Sequence, residues 1–406
     1  MAKARSVGTP SRSMVYLMIA AGLIVLAAVR AITDSNDLTS SGQIGGMINM
    51  AVPIAMTGLG GLWSERSGVV NIGLEGMLIL GTFFGAWGDW HWGPWAGLIT
   101  GMIGGAVGGL LHAVVTVTFG VDHVVSGVAI NLLALSATGY LAKLTFYKVV
   151  GSKQSPPLQS LPVFNVPGLS HWLATLEAHH WFLISDLAGI IGGFVTQMSV
   201  LTVICAAMLV LTWYIIWRTP FGLRVRSCGE NPFAAESLGV NVYLHKYIAV
   251  VVSGALAGLG GVFMVTVSSN IYQDGQTGGR GFIGLAALIF GNWKVGGLTA
   301  GAGLFGYTDS LQLRGSDAVH SLLLGVAVLL LGIAIRLLLK RSWSGAVASL
   351  VAAAVFAVWY ATTNDVPAQL VSATPYVITL VVLAVASQRL RMPKADGLVY
   401  RRGEGK

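Results

Sequence analysis

Apolar stretches long enough to cross a bilayer follow one another along almost the whole chain, which restricts it to folds that lipid can surround. They run over Met14–Ile32, Ile44–Gly61, Val69–Trp87, Trp95–Phe119, Val124–Leu144, Val200–Trp217 and Tyr247–Val267. Two shorter, glycine-broken runs follow at Phe282–Trp293 and Val295–Tyr307, then three more at Ser321–Leu339, Ser344–Tyr360 and Thr374–Ser387. A hydrocarbon core about 30 Å thick takes roughly 20 apolar residues per helix. Backbone polar groups in lipid must also be satisfied within their own segment. The pattern therefore predicts an all-α, polytopic membrane protein with about 12 transmembrane helices, in a range of roughly 10–12. Only 10% of the residues are charged, too few to cover a soluble protein of this size, where about a quarter is usual.

The net charge of +8 reads as membrane orientation rather than nucleic-acid binding, because Lys and Arg collect on the cytoplasmic side of a bilayer. With the N-terminus inside, Lys3, Arg5, Arg12, Arg66, Arg218, Arg224, Arg226, Lys246, Lys294, Arg336, Lys340, Arg341 and the basic tail all fall inside. Of the 24 Lys and Arg, only Arg30, Lys143, Lys148, Lys153, Arg280 and Arg314 then fall outside. Both termini are expected in the cytoplasm of a multi-pass plasma-membrane protein. Val29-Arg30-Ala31 is a poor signal-peptidase site, so the first apolar run reads as an uncleaved helix. Cys205 and Cys228 cannot build a disulfide framework or a metal cluster.

Glycine recurs every fourth residue at Gly97, Gly101, Gly105 and Gly109. This spacing lays a flat groove along one helix face for close packing; a hinge is the alternative. Gly58-Leu59-Gly60-Gly61 recurs as Gly258-Leu259-Gly260-Gly261, and Ile72-Gly73-Leu74 as Ile283-Gly284-Leu285. The helices concerned would run in opposite senses, as in an inverted repeat.

Several chemistries find no support. There is no phosphate-cradling Gly-x-x-x-x-Gly-Lys-Ser/Thr motif, and Gly301-Ala302-Gly303-Leu304-Phe305-Gly306 lies in an apolar segment without a preceding strand. His171, His179 and His180 share a proline-bearing external loop but lack carboxylate or cysteine partners. His112, His123, His245 and His320 are isolated in sequence. No catalytic constellation is visible, no metal site is expected, and no cofactor is expected on this chain.

The segment Arg218–Lys246 is the most informative connection. Asn231 suits a helix N-cap and Pro232 the first helical position. Phe233, Ala234, Ala235, Glu236, Ser237 and Leu238 can make two turns, which Gly239 can close in the left-handed conformation. Such a helix, small on one face, suits docking in a groove of a partner, with close packing expected at Ala235. A solvated connector is the alternative.

Three stretches carry a resemblance. Glu65-Arg66-Ser67-Gly68-Val69-Val70-Asn71-Ile72-Gly73-Leu74-Glu75-Gly76-Met77 resembles the signature of the branched-chain amino acid and simple-sugar ABC permease family. So do Gly229-Glu230-Asn231-Pro232-Phe233-Ala234-Ala235-Glu236-Ser237-Leu238-Gly239-Val240-Asn241-Val242 and Ser253-Gly254-Ala255-Leu256-Ala257-Gly258-Leu259-Gly260-Gly261. Within the family the wording is most similar to nucleoside-importer permeases. The resemblance implies a complex in the lipid bilayer with a second related permease, an ABC ATPase that binds ATP and Mg, and an extracellular substrate-binding lipoprotein. It also implies that Asn231, Pro232, Phe233, Ala234, Ala235, Glu236 and Gly239 form the helix that couples permease to ATPase.

On this reading a single transmembrane permease domain is expected over 1–406. Its parts are a first helix group (14–144), an external loop (151–199) and core helices (200–315) with a cytoplasmic coupling loop (218–246). An inserted helix pair (316–367), longer than the family pattern allows, and a last helix with a basic tail (368–406) follow. Polar residues within apolar runs, Asn49, Asn71, Glu75, Asn131, Asn270 and Asn292, are candidates for the translocation path. Glu75 reads either as path-lining or as a structural partner of backbone near Gly73 and Gly76. Nucleosides lead as the substrate, ahead of simple sugars and branched-chain amino acids. A proton-coupled secondary transporter is the rival from another class, with Glu75 and Asp122 as its only acidic relay.

Overall fold

The computed structural model describes residues 12–339, 341–367, 369–371, 373 and 390–403. The expected helix Thr374–Ser387, and Lys3, Arg5, Lys340, Arg389 and Lys406, lie outside the described residues. The chain opens with α1 (Arg12–Thr33), α2 (Ser41–Arg66), α3 (Leu74–Trp92) and α4 (Pro94–Ala113), and α4 runs into a π-helical turn at Val114–Thr118. After α5 (His123–Thr145) and the short α6 (Tyr147–Val150) come α7 (Leu169–Ala178) and α8 (Ile184–Val195). A two-residue strand pair, β1 (Val163–Phe164) with β2 (Met198–Ser199), encloses these two helices in sequence. The chain continues through α9 (Val200–Arg218), α10 (Pro220–Glu230), α11 (Pro232–Ser237) and α12 (Val242–Phe263), the last also ending in a π turn, Met264–Ser268. The described helices close with α13 (Arg280–Phe290), α14 (Val295–Gln312), α15 (Ser316–Leu339) and α16 (Trp343–Thr362).

Each expected apolar segment except the last coincides with one of these helices. Among the described residues, seven helices are long and apolar enough to cross a membrane: α2, α4 and α12 with their π turns, α5, α9, α15 and α16. The chain is an all-α, multi-pass membrane protein. The 11 residues of α13 reach only about 16 Å, half of a bilayer core, so α13 is a half-helix. The stretch 151–199, read from sequence as a loop, holds the helical hairpin α7–α8; α8 buries Asp186, Gly189, Gly192 and Gly193 and leaves Ile184, Leu187, Ile191 and Phe194 exposed.

The chain divides into two compact units. One comprises residues 1–45, 165–196 and 310–374 and so holds α1, α7, α8, α15 and α16. Its centre is the buried ion pair between Arg30 Nε and Asp186 Oδ1 at 2.7 Å. Asp186 also accepts hydrogen bonds from Thr39 Oγ1 (2.6 Å) and Leu183 N (3.0 Å). Glu177 accepts from Ser41 N at 2.9 Å, capping the first turn of α2.

The other unit, residues 46–164, 197–309 and 375–406, is built on glycine. Here α12 packs parallel to α3 and antiparallel to α4, with backbones almost touching. A Cβ at Gly81 would lie 2.4 Å from Gly258 O, and one at Gly105 would lie 2.2 Å from Gly254 O. An added Cβ would lie 2.7 Å from Gly85 O at Gly97, 2.9 Å from Gly81 O at Gly101 and 2.5 Å from Val250 O at Gly109. Most of α2 runs antiparallel to α12, with Gly60 against Ser253 O and Gly260 against Pro53 O. The Gly-Leu-Gly-Gly pair thus sits on two crossing, oppositely directed helices. The second repeated tripeptide falls on unlike elements, Ile72 in a turn before α3 and Ile283 inside α13.

Helices in lipid gain no hydrophobic drive from meeting one another, so close van der Waals contact must supply the association. Gly105→Val is expected to push α4 off α12, because the clash is with backbone, which cannot rotate away. The yield of monodisperse protein extracted from membranes should collapse. Gly303→Ala, whose added Cβ meets nothing within 4 Å, should leave it unchanged. Equal yields from the two variants would refute the role of close packing.

Candidate functional site

The connection from α9 to α12, the candidate coupling segment, is built by three consecutive caps. Thr219 Oγ1 accepts from Gly222 N at 3.2 Å to start α10. Asn231 Oδ1 accepts from Ala234 N at 3.0 Å to start α11, with Pro232 in the first turn. Asn241 Oδ1 accepts from Leu244 N at 3.1 Å to start α12. Between the last two, Gly239 turns the chain at φ +81° and donates its N–H to Glu236 O at 2.8 Å. A side chain at Gly239 would meet no atom within 4 Å, so only its backbone conformation demands glycine.

The two faces of α11 differ. Pro232 and Ala235 are buried, and Ala235 packs with Cys228, Val242 and Tyr400. Burial pushes the Cys228 thiol up to about 11, which leaves it unreactive at neutral pH. Phe233, Ala234, Ser237 and Leu238 are exposed, Leu238 at 85%. The sequence suggested close partner packing at Ala235. That residue is instead seated on its own chain, and the free face is the Phe233–Leu238 side. Leu238 was not singled out in sequence because an exposed leucine has no distinguishing spacing in a helix this short.

The candidate path residues separate into groups. Asn71, Glu75 and Asn131 meet at the start of α3, where the chain from Ser67 to Gly73 is not helical. Gly73, at the N-cap of α3, offers no side chain. Asn131 on α5 does this job instead, accepting from Gly76 N at 2.7 Å and donating to Ile72 O at 3.0 Å. Asn71 is wholly buried and donates to Ser253 Oγ at 3.0 Å. Glu75 reaches the start of α13, accepting from Thr277 Oγ1 (2.7 Å) and Gly279 N (3.1 Å) on Oε1 and from Gly281 N (2.6 Å) on Oε2. A carboxylate on the first N–H groups of a helix is favoured by charge and by bonding alike.

Two histidines that look isolated in sequence join this network. His123 Nδ1 accepts from Val70 N at 3.2 Å, while His112 Nε2 bonds Val70 O at 2.9 Å and its Nδ1 bonds Ser126 Oγ at 2.9 Å. Nothing in their spacing signals that both would clamp one residue of a distant turn. Asn49 is half-buried on α2, away from these bonds. Asn270 and Asn292 both have positive φ and sit in turns at helix ends. His245 stacks on Phe221, His320 on Tyr360 and His179 on Trp181. Among the described residues no group of His, Cys, Asp or Glu is arranged to hold a metal ion. The acidic relay needed by a proton-coupled carrier is otherwise engaged: Glu75 caps α13, and Asp122 caps α5 through Val124 N (2.8 Å) and Val125 N (3.0 Å).

The described residues thus form a glycine-packed helical bundle of apolar helices with a capped short helix in the connection from α9 to α12. Residues 43–333 match the family described as branched-chain amino acid transport system / permease component, and the chain belongs to that family. It is a transport component and not an enzyme. The guanosine ABC transporter permease protein NupQ of Bacillus subtilis (strain 168) is 33% identical over 361 residues, 87% of this chain and 94% of that protein. The nucleoside ABC transporter permease protein NupC of Lactococcus lactis subsp. cremoris (strain MG1363) is 32% identical over 366 residues, 88% and 96% of the two chains. A second guanosine permease of Bacillus subtilis, NupP, is 28% identical over 262 residues, 62% of this chain and 69% of its own length. No solved structure matches the chain.

The Glu75 cap is directly testable. Glu75→Gln leaves one acceptor oxygen for donors that now occupy two, and strands a buried N–H at a cost of about 1–3 kcal/mol. The melting temperature in detergent should fall by several degrees. An unchanged melting curve would show that the start of α13 needs no such partner.

Proposed function

We propose that the chain is the permease subunit through which a nucleoside enters the cell, driven by ATP hydrolysed with Mg on a separate ABC ATPase. A second, related permease completes the pore, and an extracellular substrate-binding lipoprotein delivers the solute. Both termini are cytoplasmic, which places α10 and α11 on the ATPase side. The observation that carries this reading is the outward face of α11. A capped helix that buries Pro232 and Ala235 against its own chain while exposing Phe233, Ala234 and Leu238 to the aqueous side needs a cover. A groove in a nucleotide-hydrolysing partner supplies one. The nucleoside is supported by NupQ and NupC, each aligned over nearly its whole length. Most nucleosides are neutral at pH 7 and need amide, hydroxyl and aromatic partners rather than a fixed counter-ion. In this reading Asn71, Glu75 and Asn131 serve translocation by holding the non-helical stretch before α3, while Asn49, Asn270 and Asn292 remain candidates for solute contact.

Uptake of radiolabelled guanosine tests both parts. Cells whose other nucleoside importers are deleted should lose uptake when this subunit is removed, and uptake that persists would reject the nucleoside. Leu238→Asp should abolish uptake without lowering the amount of chain in the membrane, because the substitution lies on the free face. Asn231→Ala should weaken uptake only partly, since it removes a cap worth about 1 kcal/mol. Ala235→Asp, by contrast, should reduce the amount of folded chain.

A further inference from the structure

The described C-terminal residues, 390–403, touch the turn after α13, the end of α10, the turn after α2 and the helix α11. Arg391 N donates to Asn292 Oδ1 at 2.7 Å, in the turn between α13 and α14. Ala395 N donates to Gly229 O at 2.8 Å, at the end of α10. The carbonyl of Ala395 lies over Gly68, where an added Cβ would come within 3.1 Å of it. Gly397, at φ +79°, passes beside Val70, the residue clamped by His112 and His123. Tyr400 is only 6% exposed and wedges between Phe233 and Tyr243, with ring centroids 5.3 and 5.4 Å away. Its hydroxyl neighbours the Glu236 carboxylate, which also pairs with Arg402 Nε at 3.3 Å.

The segment is not a loose tail lying on the surface. Asp396 is buried, at 8% exposed. Burial first, and then the nearby Glu65, hold its carboxyl well above the ordinary carboxylate range. Lys246 and Arg66 also act on it electrostatically. Arg66 in turn donates to Trp293 O through Nη2 at 2.6 Å and Nε at 3.2 Å. The tail therefore closes a ring of contacts that runs from the half-helix α13, through the end of α2, to the buried face of α11.

From this geometry we infer that Ala395–Arg402 is a transmission strap, with Tyr400 as its positioning residue. The strap makes the coupling helix, the turn after α2 and the base of α13 shift together when the ATPase moves α11. The inference rests on the proposed docking of α11 and adds a second, intramolecular half to that coupling. Tyr400 is itself buried and is not part of the exposed docking face: it backs α11 through Ala235 and the ring of Phe233. Tyr400→Ala would leave Phe233 and Tyr243 without their shared partner. The helix could then still dock but would move without drawing α2 and α13 along.

The test uses the whole importer, with its second permease, ATPase and binding protein, reconstituted in proteoliposomes with radiolabelled guanosine. Tyr400→Ala should retain the ATPase at normal stoichiometry and hydrolyse ATP at the basal rate. The guanosine moved per ATP should fall about tenfold, equivalent to ~1.4 kcal/mol of lost coupling. Tyr400→Phe, which keeps the ring and loses only the hydroxyl, should restore most of that ratio. An unchanged ratio in Tyr400→Ala would overturn the inference. Loss of the ATPase from the complex would also overturn it, by making the strap part of the docking seat. Leu238→Asp separates the two readings: if it too transports normally, the docking of α11 fails. If it alone fails to transport, docking stands and the strap is refuted.

Discussion

A bilayer leaves no water for an orphaned backbone group, so each interruption of a helix at membrane depth must find bonds inside the protein. The larger unit interrupts its helices near the starts of α3 and α13, and its architecture follows from how those starts are satisfied. Neither start has a capping side chain at its own N-cap, since glycine occupies both positions, Gly73 and Gly279. The caps arrive from other helices instead: Asn131 of α5 for α3, Glu75 of α3 for α13. His112 and His123 complete the arrangement by holding both backbone groups of Val70. These bonds form a chain from α5 through α3 to α13.

Glycine makes that chain geometrically feasible. Gly76 and Gly127 let α5 approach the beginning of α3 until added Cβ atoms would lie 2.8 Å from Ile130 O and Gly73 N. Gly281 does the same for α13 against Glu75, where an added Cβ would fall 2.5 Å from its Cα. The long glycine stripe of α4 and its counterparts on α12 extend this principle along whole helices. Close backbone contact replaces large side-chain knobs and leaves little freedom for independent movement. A core of this kind transmits displacement rather than absorbing it.

The connection from α9 to α12 shows the opposite balance. Its helix α11 spans 6 residues, too short to persist in isolation, and depends on Asn231, Gly239 and the packing of Ala235. Its outer face is apolar and uncovered, whereas its inner face is fastened through Tyr400 to a tail that also touches the turns after α2 and α13. The Arg402–Glu236 pair, with the arginine side chain 82% exposed, contributes little by itself, as exposed pairs do. The buried aromatic wedge carries the attachment.

What the sequence determined is what depends on local periodicity and local chemistry. Hydropathy located the helices of the bundle, the four-residue glycine spacing marked the close face of α4, and Asn231-Pro232 with Gly239 delimited α11 to within a residue. These features were legible because each is set by neighbours within a few positions along one helix. The helices α7 and α8 lie within the stretch expected as a loop, since at 10 and 12 residues neither is long enough to cross a bilayer. The roles of His112, His123 and Glu75, the inward orientation of Ala235 and the course of the tail were decided only in three dimensions. Each joins residues separated by tens to hundreds of positions, as when Glu75 reaches Gly281 or Tyr400 meets Phe233. No periodicity along the chain encodes such a meeting. It is fixed by which helices can approach closely enough for their backbones to touch, and that is a property of the assembled bundle.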